Sequence, residues 1–230
     1  MHRKKLPLLM RFASPALVVA AAAFLWSCRP VRPVFSPLPP QVNSIEGYAS
    51  FRLTREGAAV KSRFSFIFLL PDWGRIEVSD PLGRTVSLLF LEKEEAFFVL
   101  PRKRAYWKAS REEVLSKLLG FTLSPEEMTS LLSGKPGQMK GWVMEEDGRG
   151  RVVRGRRGDL LFEIREFYGQ SALPQLISLS SAADRGSLKI LRLNFNQPLK
   201  DEAFKLAFLE DATYTATTWE EIEKWLQNER

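Results

Sequence analysis

The sequence has little of the two side chains on which most nucleophilic catalysis and zinc binding depend. Its 230 residues contain one cysteine, Cys28, and one histidine, His2. A lone cysteine excludes an internal disulfide and a cysteine-based metal cluster. A lone histidine near the N-terminus argues against a Ser–His–Asp triad, a Cys–His pair and the common zinc sites. We therefore expect a protein that is not an enzyme and needs no metal or other cofactor.

Acidic residues are missing from one end of the chain. Residues 1–27 hold Arg3, Lys4, Lys5 and Arg11 but no Asp or Glu. The whole chain has a net charge of +7; without those four cations, 30 Lys and Arg face 27 Asp and Glu, a net charge of +3. So small an excess argues against a nucleic-acid partner. With 45% hydrophobic residues, the chain can form one sizeable domain with a buried core.

The acid-free N-terminus is typical of an export signal. Positive residues precede an apolar run that is uninterrupted over Ala16–Trp26. Eleven residues suit the core of a signal peptide and are too few for a stable membrane-spanning helix. We therefore predict that residues 1–27 are a lipoprotein signal peptide. The alternative is a simple N-terminal membrane anchor with an incidental cysteine.

The apolar run ends at Leu25-Trp26-Ser27-Cys28, which resembles the lipobox of bacterial lipoproteins. An aliphatic residue stands three positions before the cysteine and a small residue directly before it, although Trp26 replaces a second small residue. The resemblance implies that Cys28 carries lipid. Arg29 follows the cysteine, and similarity to enterobacterial lipoproteins then implies a lipid-anchored protein on the periplasmic face of the outer membrane.

Residues 28–44 combine the lipidated cysteine with a proline-rich tether. Five prolines fall within the fifteen residues 29–43. Fully extended, this stretch would reach about 45 Å, at about 3.1 Å per residue. It either holds the folded domain away from the membrane or is a disordered leader without a length requirement.

From Ile45 onward, apolar residues recur at every second position, as in strands with one buried face. The pattern predicts six short strands up to Lys108, two helices, and then further strands up to Asn196. Glu56-Gly57 is the first predicted hairpin turn. So many antiparallel strands in one sheet must curl. We therefore predict an α+β fold, an incomplete (open) antiparallel β-barrel of about 11 strands with inserted lid helices.

Capping residues predict where the helices begin and end. The three capping boxes are Ser110 with Glu113, Ser124 with Glu127, and Thr218 with Glu221. Gly120 and Gly134 end the first two helices. These two helices follow the sixth strand and are the predicted lid.

Residues Gly74–Gly134 resemble the LolB family of outer-membrane lipoprotein receptors. The resemblance depends on a strand that enters a Pro-Leu-Gly turn and a second strand that leaves it. The matching segments are Gly47–Phe51, Arg75–Leu88, Lys117–Gly120 and Leu131–Gly134. We therefore predict a LolB-like barrel domain over residues 45–198. Beyond it, residues 199–230 form a C-terminal extension with a helix, which packs across the open barrel or docks a partner.

The resemblance implies a protruding loop that presents a leucine to the membrane, and a cavity that takes acyl chains. The loop maps onto Pro81, Leu82 and Gly83, with Leu82 at the tip of a tight turn. The alternative is an exposed leucine without a role. The implied partners are acylated lipoproteins, a LolA-like periplasmic carrier and membrane lipid; we expect a monomer.

We assign the acyl cavity to the apolar positions of the predicted strands and helices. They are Phe51, Phe64, Phe66, Phe68, Ile76, Val78, Val86, Leu88, Phe90, Leu115, Leu118, Leu119, Met128, Leu131, Leu132, Phe162, Leu191, Leu193 and Phe195. The phenylalanine-rich strands could instead fill a dry core, and the presence or absence of a cavity distinguishes the two. A run of five arginines within Arg149–Arg157 either meets anionic headgroups or belongs to a solvated hairpin.

The leading hypothesis is a receptor that accepts lipoproteins from a periplasmic carrier for insertion into the outer membrane. The alternatives are a lipid- or glycolipid-binding lipoprotein of the same fold, and a structural envelope lipoprotein with a filled barrel.

Replacement of the cysteine tests the lipoprotein assignment. Because the thiol of Cys28 is the only site for the lipid, Cys28→Ala should abolish acyl labelling and leave unprocessed precursor. Labelling with a palmitate analogue checks this, and unchanged labelling would contradict the lipobox interpretation.

Overall fold

The strands of the protein form one large sheet. The computed structural model describes residues 33–55, 58–80, 82–119, 123–135, 139–181 and 184–228. Cys28, Pro81, Gly120 and the Glu56-Gly57 turn lie outside the described residues, as does the predicted signal peptide. For Leu119, the backbone is described but the side chain is not.

The described chain contains thirteen strands, four α-helices and two 3-10 turns. The strands are β1 (Val34–Phe35), β2 (Ser44–Arg55), β3 (Ala58–Leu69), β4 (Trp73–Ser79), β5 (Thr85–Glu92), β6 (Glu95–Leu100), β7 (Ala105–Ser110), β8 (Val143–Glu146), β9 (Val152–Arg157), β10 (Leu160–Phe167), β11 (Pro174–Ser180), β12 (Asp184–Phe195) and β13 (Thr215–Ala216). The helices are α1 (Arg111–Leu119), α2 (Pro125–Ser133), α3 (Ala207–Glu210) and α4 (Trp219–Asn228), and the 3-10 turns are Pro101–Lys103 and Asp201–Phe204.

The sheet has the strand order β13-β7-β6-β5-β4-β3-β2-β12-β11-β10-β9-β8, and β1 pairs with β12 beside this path. The pairs from β7 through to β8 are antiparallel, whereas β13 and β1 run parallel to their partners. Within the described residues β8 and β13 are the two edges, so the barrel is open. The predicted fold class is confirmed, and the predicted strands correspond to β2–β12.

The two predicted lid helices follow β7, the sixth of these eleven strands. The backbone N–H of Glu113 donates to Ser110 Oγ at 3.2 Å, which caps α1. In α2 both halves of the capping box form, between Ser124 and Glu127. Local hydrogen bonding therefore begins both helices where the sequence predicts.

The two-residue strands β1 and β13 were not predicted, because two residues are too few to show alternation. β1 belongs to the segment predicted as a tether. Val34 and Phe35 pair with Arg192 and Leu193, and the Phe35 ring stacks on Tyr168 with centroids 4.3 Å apart. The tether is therefore packed on the domain over its described part, 33–44.

The first half of the C-terminal extension lies on the convex face of the sheet. The ring of Phe208 contacts the rings of Phe90, Phe97 and Tyr106, with centroids 5.2–5.9 Å apart. These residues form a small hydrophobic cluster of their own, separate from the main core. The extension therefore covers apolar side chains that β5, β6 and β7 carry on their outer side.

The second half of the extension passes around the edge of the sheet to the concave face. β13 pairs with β7 at Ala105 and Tyr106. Helix α4 then packs on the main core, where Ile222 is fully buried and Trp219 lies 5.0 Å from Trp107 between ring centroids. The extension thus encloses the β7 edge from both faces.

Helix α4 should therefore contribute to the stability of the whole domain. Ile222→Ala removes a fully buried side chain and should lower the free energy of unfolding by about 2–5 kcal/mol. Leu209→Ala is the matched control, because Leu209 is 45% exposed in the same extension, and it should cost less than about 0.5 kcal/mol. Urea unfolding of both variants measures the difference. Equal losses would mean that α4 is not part of the core.

Candidate functional site

The concave face of the sheet carries the main hydrophobic cluster. Three phenylalanines of β3 form a ladder along it, with ring centroids 6.0 Å apart for Phe64 and Phe66 and 5.7 Å for Phe66 and Phe68. Phe64 is half-buried, whereas Phe66 and Phe68 are 2% exposed. We call the end of the sheet with the β4–β5 turn the Leu82 end; burial increases along the ladder away from that end.

Most of the predicted cavity residues lie together in this cluster. They are Phe51, Phe64, Phe66, Phe68, Ile76, Leu115, Leu118, Met128, Leu131, Leu132, Phe162, Leu193 and Phe195. Val78 lies on the same strand face as Ile76 by alternation. Phe51, Phe64, Ile76 and Leu118 are half-buried, so they form an apolar rim around the buried part.

The prediction that Leu88 and Phe90 of β5 line the acyl cavity is wrong. Leu88 and Phe90 belong to the convex cluster under the C-terminal extension, whereas Leu89 and Leu91 lie in the concave cluster. Because β5 is apolar on both faces, alternation alone does not decide which set points inward. The same holds for β6, where Phe98 faces the concave side and Phe97 the convex side.

Two further predicted cavity residues lie at β-bulges. Between the pairs Val78↔Ser87 and Ser79↔Thr85, Val86 is left without a partner. Between Ile190↔Ala49 and Arg192↔Tyr48, Leu191 is left out in the same way. A bulge adds one residue and interrupts the alternation, so neither side chain belongs to the main cluster.

Helix α2 lies on the concave cluster and is fixed there by a buried carboxylate. Glu127 is 8% exposed, and one of its carboxylate oxygens accepts a hydrogen bond from the indole N–H of Trp142 at 2.8 Å. The guanidinium of Arg157, at the end of β9, pairs with the same oxygen and lies over the Trp142 ring. Sequence reasoning found Glu127 only as a capping residue, because Trp142 and Arg157 approach it through the tertiary structure.

A cavity of about 330 Å³ lies beside α2, away from its apolar stripe. Hydroxyl-bearing side chains and a lysine contribute to its wall. The lining residues are Pro40, Gln41, Val42, Leu70, Thr129, Ser130, Ser133 and Lys135. This mixed lining does not suit acyl chains, so the concave cluster remains the candidate site.

The turn between β4 and β5 presents Leu82 to solvent at 78% exposure. Asp80 organises it: one carboxylate oxygen accepts hydrogen bonds from the backbone N–H groups of Leu82 at 2.9 Å and Arg84 at 3.0 Å. The other oxygen pairs with the guanidinium groups of Arg84 at 2.7 Å and Arg102 at 3.0 Å. Gly83 has a φ of +79°, which favours glycine. The loop is therefore a built turn with an apolar tip.

The turn between β8 and β9 repeats this arrangement at the opposite end of the sheet. Asp147 accepts from the backbone N–H groups of Arg149 at 2.9 Å and Arg151 at 3.0 Å, and from the Arg151 guanidinium. Gly150, with a φ of +71°, takes the place of Gly83. Here the tip is Arg149 instead of a leucine.

Both carboxyls are held in the ionised form. The pKa of Asp80 is lowered, mainly because the backbone N–H of Arg84 donates to it, with help from the Arg84 side chain and the Leu82 N–H. The pKa of Asp147 is lowered to about 2, mainly by the side-chain hydrogen bond from Arg151. A lowered pKa means that the ionised carboxylate stabilises the turn at neutral pH and that this contribution is lost only as the pH falls through the lowered value.

The arginine run Arg149–Arg157 is engaged within the domain. Arg151 pairs with Asp147 and lies 4.0 Å above the centroid of the Phe167 ring. The other contacts are Arg149 to Gln170, Arg154 to Glu145 and Glu163, Arg156 to the carbonyl of Gly158, and Arg157 to Glu127. The run therefore behaves as part of a hydrogen-bonded hairpin.

The described chain shares its fold, an open sheet with lid helices, with solved structures of other proteins. A LolA-superfamily protein from Nitrosomonas europaea aligns with a TM-score of 0.51 at 11% identity, over 82% of this chain and 98% of that chain. A DUF1329-family protein from Desulfovibrio piger gives a TM-score of 0.54 at 12% identity, over 73% and 92%. At such identities the likeness concerns the fold.

The sequence comparisons narrow this class to one family. The family model for the outer membrane lipoprotein LolB matches residues 46–197. An outer-membrane lipoprotein LolB from Serratia proteamaculans is 25% identical over 186 residues, which cover 76% of this chain and 88% of that protein. The chain belongs to the LolB family. The predicted family, outer-membrane location and function in lipoprotein localisation are thereby confirmed.

A separate observation concerns the helices. In the described parts of the chain, none combines the length and the apolar character that a bilayer crossing requires.

The two aspartate turns provide matched variants. Asp80→Ala should accelerate amide hydrogen exchange at Leu82 and Arg84, because both N–H groups lose their acceptor. Asp147→Ala should do the same at Arg149 and Arg151 and leave the Leu82 turn unchanged. In the unmodified protein, exchange protection of both turns should persist as the pH falls from 7 to 5, since both pKa values are lowered. Exchange measured by NMR checks all three statements, and unaltered exchange at Leu82 in Asp80→Ala would contradict the assignment.

Proposed function

We propose that the concave face receives the acyl chains of lipoproteins from a LolA-like periplasmic carrier and releases them into the outer membrane at the Leu82 turn. The observation that carries this proposal is the graded apolar face. This face leads from half-buried Phe64 to fully buried Phe68. The end of the sheet nearer to Phe64 carries Leu82, the most exposed large apolar side chain among the described residues.

Hydrophobic transfer supplies the driving force in this proposal. Each methylene moved from water to an apolar site contributes about 0.8 kcal/mol. Acyl chains therefore cannot cross the periplasm through water, and a continuous apolar route from carrier to receptor to membrane is needed. Because the membrane is the final apolar phase, the receptor only passes its cargo downhill and needs neither nucleotide nor catalytic group.

Cargo enters by displacing the lid in this mechanism. Helices α1 and α2 cover the concave cluster with Leu115, Leu131 and Leu132. The half-buried rim at Phe51, Phe64, Ile76 and Leu118 is where an acyl chain first meets apolar surface. Movement of α2 would break the contacts of Glu127 with Trp142 and Arg157. These groups are polar, so each can form hydrogen bonds with water once they are separated.

Leu82 contributes to release in a limited way. Insertion of one leucine into the membrane interface contributes about 1–2 kcal/mol. That is too little to anchor the protein, and we assign the anchoring to lipid on Cys28. It is enough to orient the barrel opening toward the bilayer. We also propose that the protein acts as a monomer and catalyses no reaction.

One observation favours a second candidate, a structural or lipid-binding lipoprotein with a partly filled barrel. Ile222 of α4 is fully buried in the main cluster, so the C-terminal extension occupies part of the concave volume. In this case acyl chains would bind weakly or only after α4 leaves.

A two-stage transfer assay with purified cargo and liposomes separates these possibilities. Phe64→Asp places a charge on the acyl route and should reduce capture, because an unpaired charge in an apolar site is costly. Leu82→Glu should leave folding and capture nearly intact and slow insertion about tenfold or more, from the lost 1–2 kcal/mol and added repulsion; Leu82→Phe should be tolerated.

Val143→Glu is the matched control, because Val143 is 73% exposed on the edge strand β8 and not in the β4–β5 turn. It should capture and insert cargo at the wild-type rate. Normal insertion by Leu82→Glu would reduce the loop to a simple turn, and normal capture by a folded Phe64→Asp variant would favour the filled-barrel candidate.

A further inference from the structure

The convex face of the sheet carries an exposed basic patch on three neighbouring strands. Its members are Arg52 on β2, Lys61 and Arg63 on β3, and Arg185 and Lys189 on β12. Their strand neighbours Phe51, Phe64, Leu188 and Ile190 point into the concave cluster. Alternation therefore directs the five cations outward, and all five are exposed.

The strand register brings these side chains together. Arg52 lies directly opposite Lys61 across the β2–β3 pair. In the adjacent outward-facing row, Lys189, Ser50 and Arg63 are neighbours across the three strands. Arg185 belongs to the next row on the other side, opposite Thr54. On β3, β2 and β12 the rows that form this patch contain no Asp or Glu. Two strands beyond β12, on β10, the same rows carry Glu166 and Glu163, and Glu163 pairs with Arg154 and Arg165.

These cations lack compensation within the domain. Like charges directly opposite each other destabilise a sheet, and in the described part of the chain none of the five makes an ion pair or a side-chain hydrogen bond. The arginines of Arg149–Arg157, in contrast, each have an acceptor. The nearest acid in the following row is Glu77, opposite Ser65, and it already pairs with Arg75 at 2.8 Å.

We propose that this convex patch binds the phosphate headgroups of an anionic phospholipid bilayer. Arginine and lysine both bind phosphate oxygens strongly, and clustered basic residues adsorb to anionic membranes. The contact is separate from the acyl site on the concave face, and it does not depend on cargo capture.

The position of the patch favours a membrane over a soluble acidic partner. Arg63 is in register with Ser79, the last residue of β4 before the Leu82 turn. Strand β1 runs parallel to β12 and pairs with it at Arg192, so the N-terminal end of β1 points toward Lys189 and Arg185. The Leu82 turn and the patch therefore lie toward the same end of the sheet.

The consequence is an orientation for the receptor. Contact through the convex side of β3, β2 and β12 inclines the barrel, so that the Leu82 turn touches the bilayer at the border of the basic surface. The headgroup contact would hold the barrel opening close to the membrane before and after cargo passes.

Vesicle flotation with the mature chain, residues 28–230, tests the proposal. The chain carries Cys28→Ser so that attached lipid does not decide the result. It should float with vesicles of phosphatidylcholine mixed with phosphatidylglycerol, bind pure phosphatidylcholine much more weakly, and be released by salt. The combined variant Arg52→Gln, Lys61→Gln and Lys189→Gln should bind the anionic vesicles about 100-fold more weakly, at about fivefold per basic residue.

The matched control removes the same charge elsewhere, with Lys140→Gln, Lys205→Gln and Lys224→Gln, all exposed. It should keep near wild-type binding. Equal losses in the two triple variants would show an effect of net charge alone and overturn the proposal. Equal binding of the unmodified chain to both vesicle types would also overturn it, as would no binding at all, which would leave an acidic protein surface as the partner.

Two further measurements keep this test distinct from the acyl-transfer proposal. The melting temperature of the patch variant should not fall, because like-charge pairs have been removed from the surface. Binding of an environment-sensitive acyl probe should be unchanged, since the concave face is untouched. If the unmodified chain did not bind the acyl probe, this would count against the proposed receptor mechanism. It would leave the headgroup-binding proposal for the patch unaffected.

Discussion

The structure depends on a single constraint: the concave face of the sheet must stay apolar although the sheet does not close. An open sheet leaves two edges and an uncovered apolar surface, and both are unfavourable in water. The domain meets the first problem by enclosing the β7 edge with the C-terminal extension, whose Phe208 lies on one face and Ile222 on the other. It meets the second with α1, α2 and α4, which cover the apolar surface without adding strands to it.

The way the lid is held follows from the same constraint. Apolar contacts alone would not specify one position for the lid helices, because such contacts are non-directional. Glu127 adds a directional attachment through Trp142 and Arg157 at the margin of the concave face. These polar contacts specify one position for α2. In the proposed mechanism α2 moves, and the groups that make these contacts then bind water instead.

The two aspartate turns show how one local device acquires different roles. In each, a carboxylate accepts two backbone N–H groups and an arginine side chain, and a glycine allows the positive φ. The turn fixes the position of its tip residue, and the tip residue alone sets the chemistry that is presented. Leucine at one end of the sheet and Arg149 at the other give the domain two chemically different ends.

Features that depend on neighbours along the chain could be predicted before the structure was known. The capping boxes, the Pro-Leu-Gly turn with Leu82 at its tip, and the alternation of β2, β3 and β10 are local, and they follow from backbone hydrogen bonding and a side-chain period of two. They sufficed for the fold class and for most of the concave face. The family resemblance also lay in such local segments.

Features that depend on strands distant in sequence became visible only in the folded chain. Leu88 and Phe90 lie on the convex face of the sheet, where the C-terminal extension covers them. Because β5 is apolar on both faces, its sequence alone does not show which face is buried in the main core. The bulges at Val86 and Leu191 appear only when the partner strands are in register. The same applies to charge: the arginines that are adjacent in sequence are paired within the hairpin, whereas the exposed patch assembles Arg52, Lys61 and Lys189 from three strands, because register brings together residues that the chain keeps apart.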